Sequence, residues 1–122
     1  MISFRSEQPY HEERPWGFFD LFIHNETNTV KIITVNPGES TSLQLHHLRQ
    51  ESWIVIAGSG VITVGQQHYE VKKNDFFTIP KETVHQLAAG KEPLVIVEIS
   101  TGTFDEQDIV RIKDKYGRTD KK

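Results

Sequence analysis

The chain has no cysteine among its 122 residues, which excludes disulfides and thiolate metal sites and agrees with a cytoplasmic location. No run of apolar residues is long enough to span a bilayer, so no membrane partner is expected. The opening MISFRSEQPYHEERPW lacks the basic segment followed by an apolar stretch that marks a secretory signal. The formal charge of -3 comes without any basic stripe, and the electrostatic footprint of a nucleic-acid binder is therefore missing. Sustained 3.6-residue periodicity is also absent before residue 100, so the body of the chain is read as β.

What remains is a single domain of ordinary size, with 36% hydrophobic and 25% charged residues. Residues 1–13 are expected to form an arm over the domain or a partner subunit, residues 14–118 the domain, and residues 119–122 a tail. Phe18 to Ile23 and Val30 to Val35 are rich in aromatic and β-branched residues around the turn signal Asn25-Glu26-Thr27-Asn28, which predicts a hairpin. Short extended runs follow at Ser42–His47, Ser52–Ala57, Val61–Val64, His68–Val71, Asp75–Ile79, Val84–Leu87 and Pro93–Ile99, separated by glycine-rich or polar turns. Such a series predicts an all-β sandwich or barrel of the jelly-roll kind. After the acidic stretch Asp105 to Asp108, residues Ile109 to Tyr116 suit a short helix stopped by Gly117 or, because of their β-branched residues, an extended segment.

Four side chains form a candidate metal site. In a strand, residues two apart share a face, so Gln44 and His46 project together while Leu43, Leu45 and His47 point the other way. Glu51 opens the next strand, where a hairpin-like connection brings it opposite His46. His85 begins a strand just after a loop, in reach of a barrel mouth. Two imidazoles, a carboxylate and an amide oxygen suit one divalent ion of Zn, Mn, Co, Ni or Fe rather than Ca or Mg.

Gly38, Gln44, His46, Glu51 and Gly58 follow the first motif of the cupin superfamily, with glutamine at its first histidine position. The stretch from Asn74 through Pro80 to His85 resembles the second motif, with Asn74 and Glu82 at its glycine positions. Arg14-Pro15-Trp16-Gly17, the run Ser42 to His47, the pair Glu51 and Trp53, and the closing Asp108-Ile109-Val110-Arg111 and Tyr116-Gly117-Arg118 resemble the cupin domain of type II mannose-6-phosphate isomerases. This resemblance runs from Arg14 to Arg118 and implies a double-stranded β-helix barrel. In that family the domain usually follows a guanylyltransferase domain whose glycine-rich nucleotide loop this sequence lacks, so nucleotide transfer is not expected.

The activity implied is interconversion of mannose 6-phosphate and fructose 6-phosphate. A divalent ion would polarise the carbonyl and adjacent hydroxyl while a base moves a proton between neighbouring carbons. Glu98, which shares a strand face with Ile96 and Ser100, is the candidate base. Arg49, Lys81, Arg111 and Arg118 are the candidate partners of a sugar phosphate, since a dianion calls for guanidinium or ammonium groups. Two departures weigh against turnover: Ser40 and Gln86 stand where the family often has arginine. The alternatives are a non-catalytic metal cupin that binds a sugar or sugar phosphate, and another metal enzyme such as a dioxygenase. A homodimer is expected, because the apolar N-terminal hairpin offers an edge for pairing and similar cupins are commonly dimers.

Overall fold

Period-two alternation builds the architecture. The computed structural model describes residues 9–23 and 28–118, so most of the expected arm, most of the 25–28 turn and the tail at 119–122 lie outside the described residues. Among the described residues the strands are β1 (Tyr10–Arg14), β2 (Gly17–Ile23), β3 (Asn28–Val35), β4 (Leu43–Leu45), β5 (Arg49–Ala57), β6 (Gly60–Val64), β7 (Gln67–Val71), β8 (Phe76–Ile79), β9 (His85–Ala89), β10 (Leu94–Gly102) and β11 (Val110–Lys113). They form two antiparallel sheets ordered β1-β2-β3-β10-β5-β8 and β11-β4-β9-β6-β7. The protein is an all-β cupin barrel. Among the described residues, no helix is long and apolar enough to cross a membrane.

The C-terminal segment takes the extended form of the two that the sequence allowed. Its β-branched residues favour a pleated surface, and β11 pairs with β4, Val110 opposite Leu45 and Arg111 opposite Gln44. Tyr10 to Glu13, expected to end the arm, form most of edge strand β1 against β2.

Three neighbouring strands set the character of the interior. Thr29, Lys31, Ile33 and Val35 face inward from β3, Arg49, Glu51, Trp53 and Val55 from β5, and Leu94, Ile96, Glu98 and Ser100 from β10. The register places Lys31 opposite Glu98, and Glu98 opposite Trp53. The next inward rank runs Thr29, Ser100, Glu51. One end of the barrel is therefore apolar, closed by Val35, Val55, Leu94 and Ile96 with Ile62 and Leu87 from the facing sheet. Burying each of these side chains stabilises the fold by about 1.5–3 kcal/mol. The other end is lined with charge.

Gly58 closes the first motif for a steric reason. Its φ is +84° and a Cβ there would stand 1.8 Å from the Pro93 carbonyl oxygen, so the chain can pass from β5 to β6 only with no side chain at this point. Asn74 and Glu82, which replace glycines of the second motif, have φ of 79° and 61°. The left-handed backbone is kept although the glycines are not.

Candidate metal centre

Three strands deliver the site. His46 follows the short β4, Glu51 lies near the start of β5, and His85 opens β9 directly opposite Gln44 in the β4–β9 pairing. Their exposures are 5%, 2% and 3%, so a carboxylate and two imidazoles share a buried pocket. Glu51 stands between the rings: Oε2 is 3.6 Å from His46 Nε2 and Oε1 is 3.6 Å from His85 Nε2. All three ligand atoms lie within 4.8 Å of one another.

The far side of each ring decides what faces the pocket. His46 Nδ1 lies 2.6 Å from the Asp108 carbonyl oxygen and His85 Nδ1 2.9 Å from that of Thr83. A carbonyl only accepts, so each Nδ1 carries the proton and donates, and each Nε2 presents its lone pair inward. Arg49 agrees with this tautomer, since its Nη2 donates to His46 Nε2 at 3.1 Å while its Nε donates to Glu51 Oε2 at 3.0 Å. Burial, then the charge of Arg49 and the neighbouring His85, lowers the His46 pKa to about 4. Burial also lowers that of His85. Both rings are held neutral, as metal ligands must be. The donor set and the convergent lone pairs fit a divalent transition ion, provided that Arg49 releases the two atoms it now holds.

His46 and His47 both fall beyond the end of β4, and they part in burial: His46 is buried, whereas His47 is exposed and 3.2 Å from Glu82. Asp108 fastens this corner: its carboxylate accepts the backbone N–H groups of His47 and Leu48, each at 2.8 Å, and its carbonyl orients His46. A residue of the C-terminal motif thus fixes the first histidine.

Above the three ligands opens a cavity of about 300 Å³. Gln44 joins its wall, together with five cations (Arg14, Lys31, Arg49, Arg111, Arg118) and three carboxylates (Glu51, Glu98, Glu106). With neutral histidines the balance is positive, which favours an anionic guest. Of the expected phosphate partners, Arg49, Arg111 and Arg118 line this cavity. Lys81 does not: Pro80 ends the β8 run, and Lys81 falls in the exposed turn beyond it. Arg118 is held by Asp114, with Nε 2.7 Å from Oδ2.

Glu98 is buried in the wall and accepts from Trp53 Nε1 at 3.3 Å. Burial, and then the charge of Glu51, raises its pKa. Sequence reasoning missed Lys31, although its alternation with Ile33 and Val35 was the signal that it turns inward. Neither Ser40 nor Gln86 reaches the cavity. Ser40 bridges Ala88, and Gln86, on the opposite face from His85, donates its side-chain amide to the Thr41 carbonyl at 3.0 Å.

The family described as mannose-6-phosphate isomerase C-terminal matches residues 4–114. The chain belongs to this family. Within the mannose-6-phosphate isomerase C-terminal family, similar curated proteins include the alginate biosynthesis protein AlgA of Pseudomonas aeruginosa, 44% identical across 94% of this chain and 25% of its own length. A mannose-1-phosphate guanylyltransferase of Klebsiella pneumoniae is 42% identical across 93% of this chain and 25% of its own length. The xanthan biosynthesis protein XanB of Xanthomonas campestris is 42% identical across 94% and 26%. The chain thus spans about a quarter of the length of these relatives. Among solved structures, the capsular polysaccharide assembling protein CapF of Staphylococcus aureus shares the fold with a TM-score of 0.77 at 22% identity, over 88% of this chain and 33% of that one. The nucleoside dehydratase Pac13 does so with a TM-score of 0.73 at 16% identity, over 93% and 92%.

These relatives correct the expected activity. They are named for mannose-1-phosphate guanylyltransferase and for polysaccharide biosynthesis, not for interconversion of mannose 6-phosphate and fructose 6-phosphate. The role of Glu98 as the base of that isomerisation rested on the same expectation and goes with it.

Proposed function

We propose that this chain is a metal-centred cupin module that binds a mannose phosphate, the substrate class named for its relatives. The observation that carries this reading is the pairing of two inward Nε2 lone pairs and Glu51 with a cavity wall in which cations outnumber carboxylates. His46, Glu51 and His85, with Gln44 beside them, would hold the ion. The ion supplies a positive charge and open coordination positions for hydroxyl oxygens of the sugar.

The remaining residues bind and orient. Arg49, Arg111 and Arg118 offer planar N–H groups to a phosphate. Trp53 donates its indole N–H to both Glu51 Oε1 and Glu98 Oε2, at 3.2 and 3.3 Å, and holds the two carboxyls at fixed spacing. Burial, and then the charge of Glu51, raises the pKa of the Glu98 carboxyl, which faces the cavity within hydrogen-bonding reach of a bound sugar.

Calorimetric titration of the Mn- or Zn-loaded protein with mannose 1-phosphate, mannose 6-phosphate and unphosphorylated mannose tests this. At least one phosphate ester should bind saturably and at least about tenfold more tightly than mannose, a difference of about 1.4 kcal/mol. Equal affinity for the esters and mannose, or no binding of any, overturns the reading.

A further inference from the structure

Lys31 has no part in holding the metal, yet it is an ammonium with 9% side-chain exposure on the inward face of β3. Its Nζ lies over two aromatic rings, 4.3 Å from the centroid of Phe19 and 4.2 Å from that of Phe104. Rings supply part of the solvation that burial removes. Its ion pair with Glu106 Oε2 is 3.9 Å long, outside hydrogen-bond distance. The other oxygen of Glu106 accepts from Arg14 Nη2 at 2.8 Å. Arg14 lies over the same Phe19 ring, 5.2 Å from its centroid, and also pairs with Glu12. All of Arg14, Lys31, Phe19 and Glu106 line the cavity.

The two cations stand on strands β1 and β3 of the sheet, whereas Glu106 stands on the connection between β10 and β11. Its side chain is 56% exposed, so the carboxylate can leave for solvent at little cost. Lys31 cannot leave. Arg14 and Lys31 thus share one carboxylate that is free to move, while Glu12 keeps a second hold on Arg14 and Glu98 stands opposite Lys31 in the register, at a place where an incoming oxyanion would meet the N–H groups that Glu106 now holds.

We infer that Arg14 and Lys31 form an anion subsite in the cavity wall, and that Glu106 occupies it as a tethered carboxylate until the phosphate group of a ligand displaces it. The inference rests on the sugar-phosphate reading for the identity of the ligand, but the subsite itself is defined by charge and needs no metal. Glu106 sets a threshold: a neutral or singly charged guest competes poorly with it, whereas a dianion competes well.

The test is titration of the metal-free 122-residue chain with inorganic phosphate at low ionic strength, in the wild type, Glu106→Gln, Arg14→Gln, and the Glu106→Gln/Arg14→Gln pair. Removing the competitor should tighten phosphate binding about tenfold in Glu106→Gln, and adding Arg14→Gln should cancel the gain. Lys31→Met should cancel it as well, but Arg14 is 29% exposed, so its variant decides the matter even if the lysine variant fails to fold. Unchanged or weaker phosphate binding in Glu106→Gln overturns the inference, as does a gain that survives Arg14→Gln. If metal-loaded protein binds mannose phosphates but Glu106→Gln changes nothing, the subsite is wrong and the function stands. If Glu106→Gln shows its gain for phosphate while no mannose phosphate binds, the reverse holds.

Discussion

Arg49 holds the two lone pairs that a metal ion would need, one on His46 Nε2 and one on Glu51 Oε2. It is 6% exposed and lies 4.2 Å above the Phe104 ring, so it is packed in place. In the metal-free protein its guanidinium is the cation that lets Glu51 stay buried. Arg49→Met should therefore have two opposite effects. The metal-free fold should lose about 3 kcal/mol, since breaking a buried pair leaves an uncompensated carboxylate. Metal binding should tighten, because the ion no longer displaces a guanidinium. Denaturant melts and competition against a chromophoric chelator read both, and weaker metal binding in the variant would count against Arg49 as a competitor. At the same scale, strand parity set His46 apart from His47 in the sequence, and the two do part in burial although β4 ends before them at Leu45. Lys31 was missed, since a lysine in an apolar run is readily taken as solvent-facing, although its period-two spacing with Ile33 and Val35 places it on the inward face.

At the scale of elements, most strands were legible from alternation and turn residues, β5 and β10 above all. Edge strand β1 was not, because Tyr10 to Arg14 are polar and carry no apolar face; only pairing with β2 makes them a strand. The segment at residues 110–113 was ambiguous, as β-branched residues and an acidic opening argue for different states, and β4 decides by offering an unpaired edge. Ser40 and Gln86 looked like missing cations because sequence distance to the ligands is short, yet neither lines the cavity. The second motif makes a further prediction. Glu82 holds a left-handed φ of 61°, which costs a residue with a Cβ about 1–2 kcal/mol, while its side chain gains only an exposed contact with His47. Glycine loses more chain entropy on folding, offsetting about 0.4–1 kcal/mol of that gain. Glu82→Gly should thus stabilise the protein by about 0.5–1 kcal/mol in urea melts. A loss of similar size would show that the His47 contact outweighs the backbone strain.

For the whole molecule, two sheets close on a core that is apolar at one end and charged at the other, and the charged end is costly unless something binds there. Side chains from β1, β3, β5, β9 and β10 and from the C-terminal motif meet at that end, so the site forms only when both sheets are in place. An ion there should stabilise the entire fold, by about 2.7 kcal/mol at a free concentration one hundred times its Kd. Equilibrium dialysis against Zn and Mn followed by elemental analysis tests the proposed metal centre most directly. One ion per chain should be retained by the wild type and by His47→Ala, and lost from His46→Ala and His85→Ala. No retained ion in the wild type, or loss in His47→Ala with retention in His46→Ala, would contradict it.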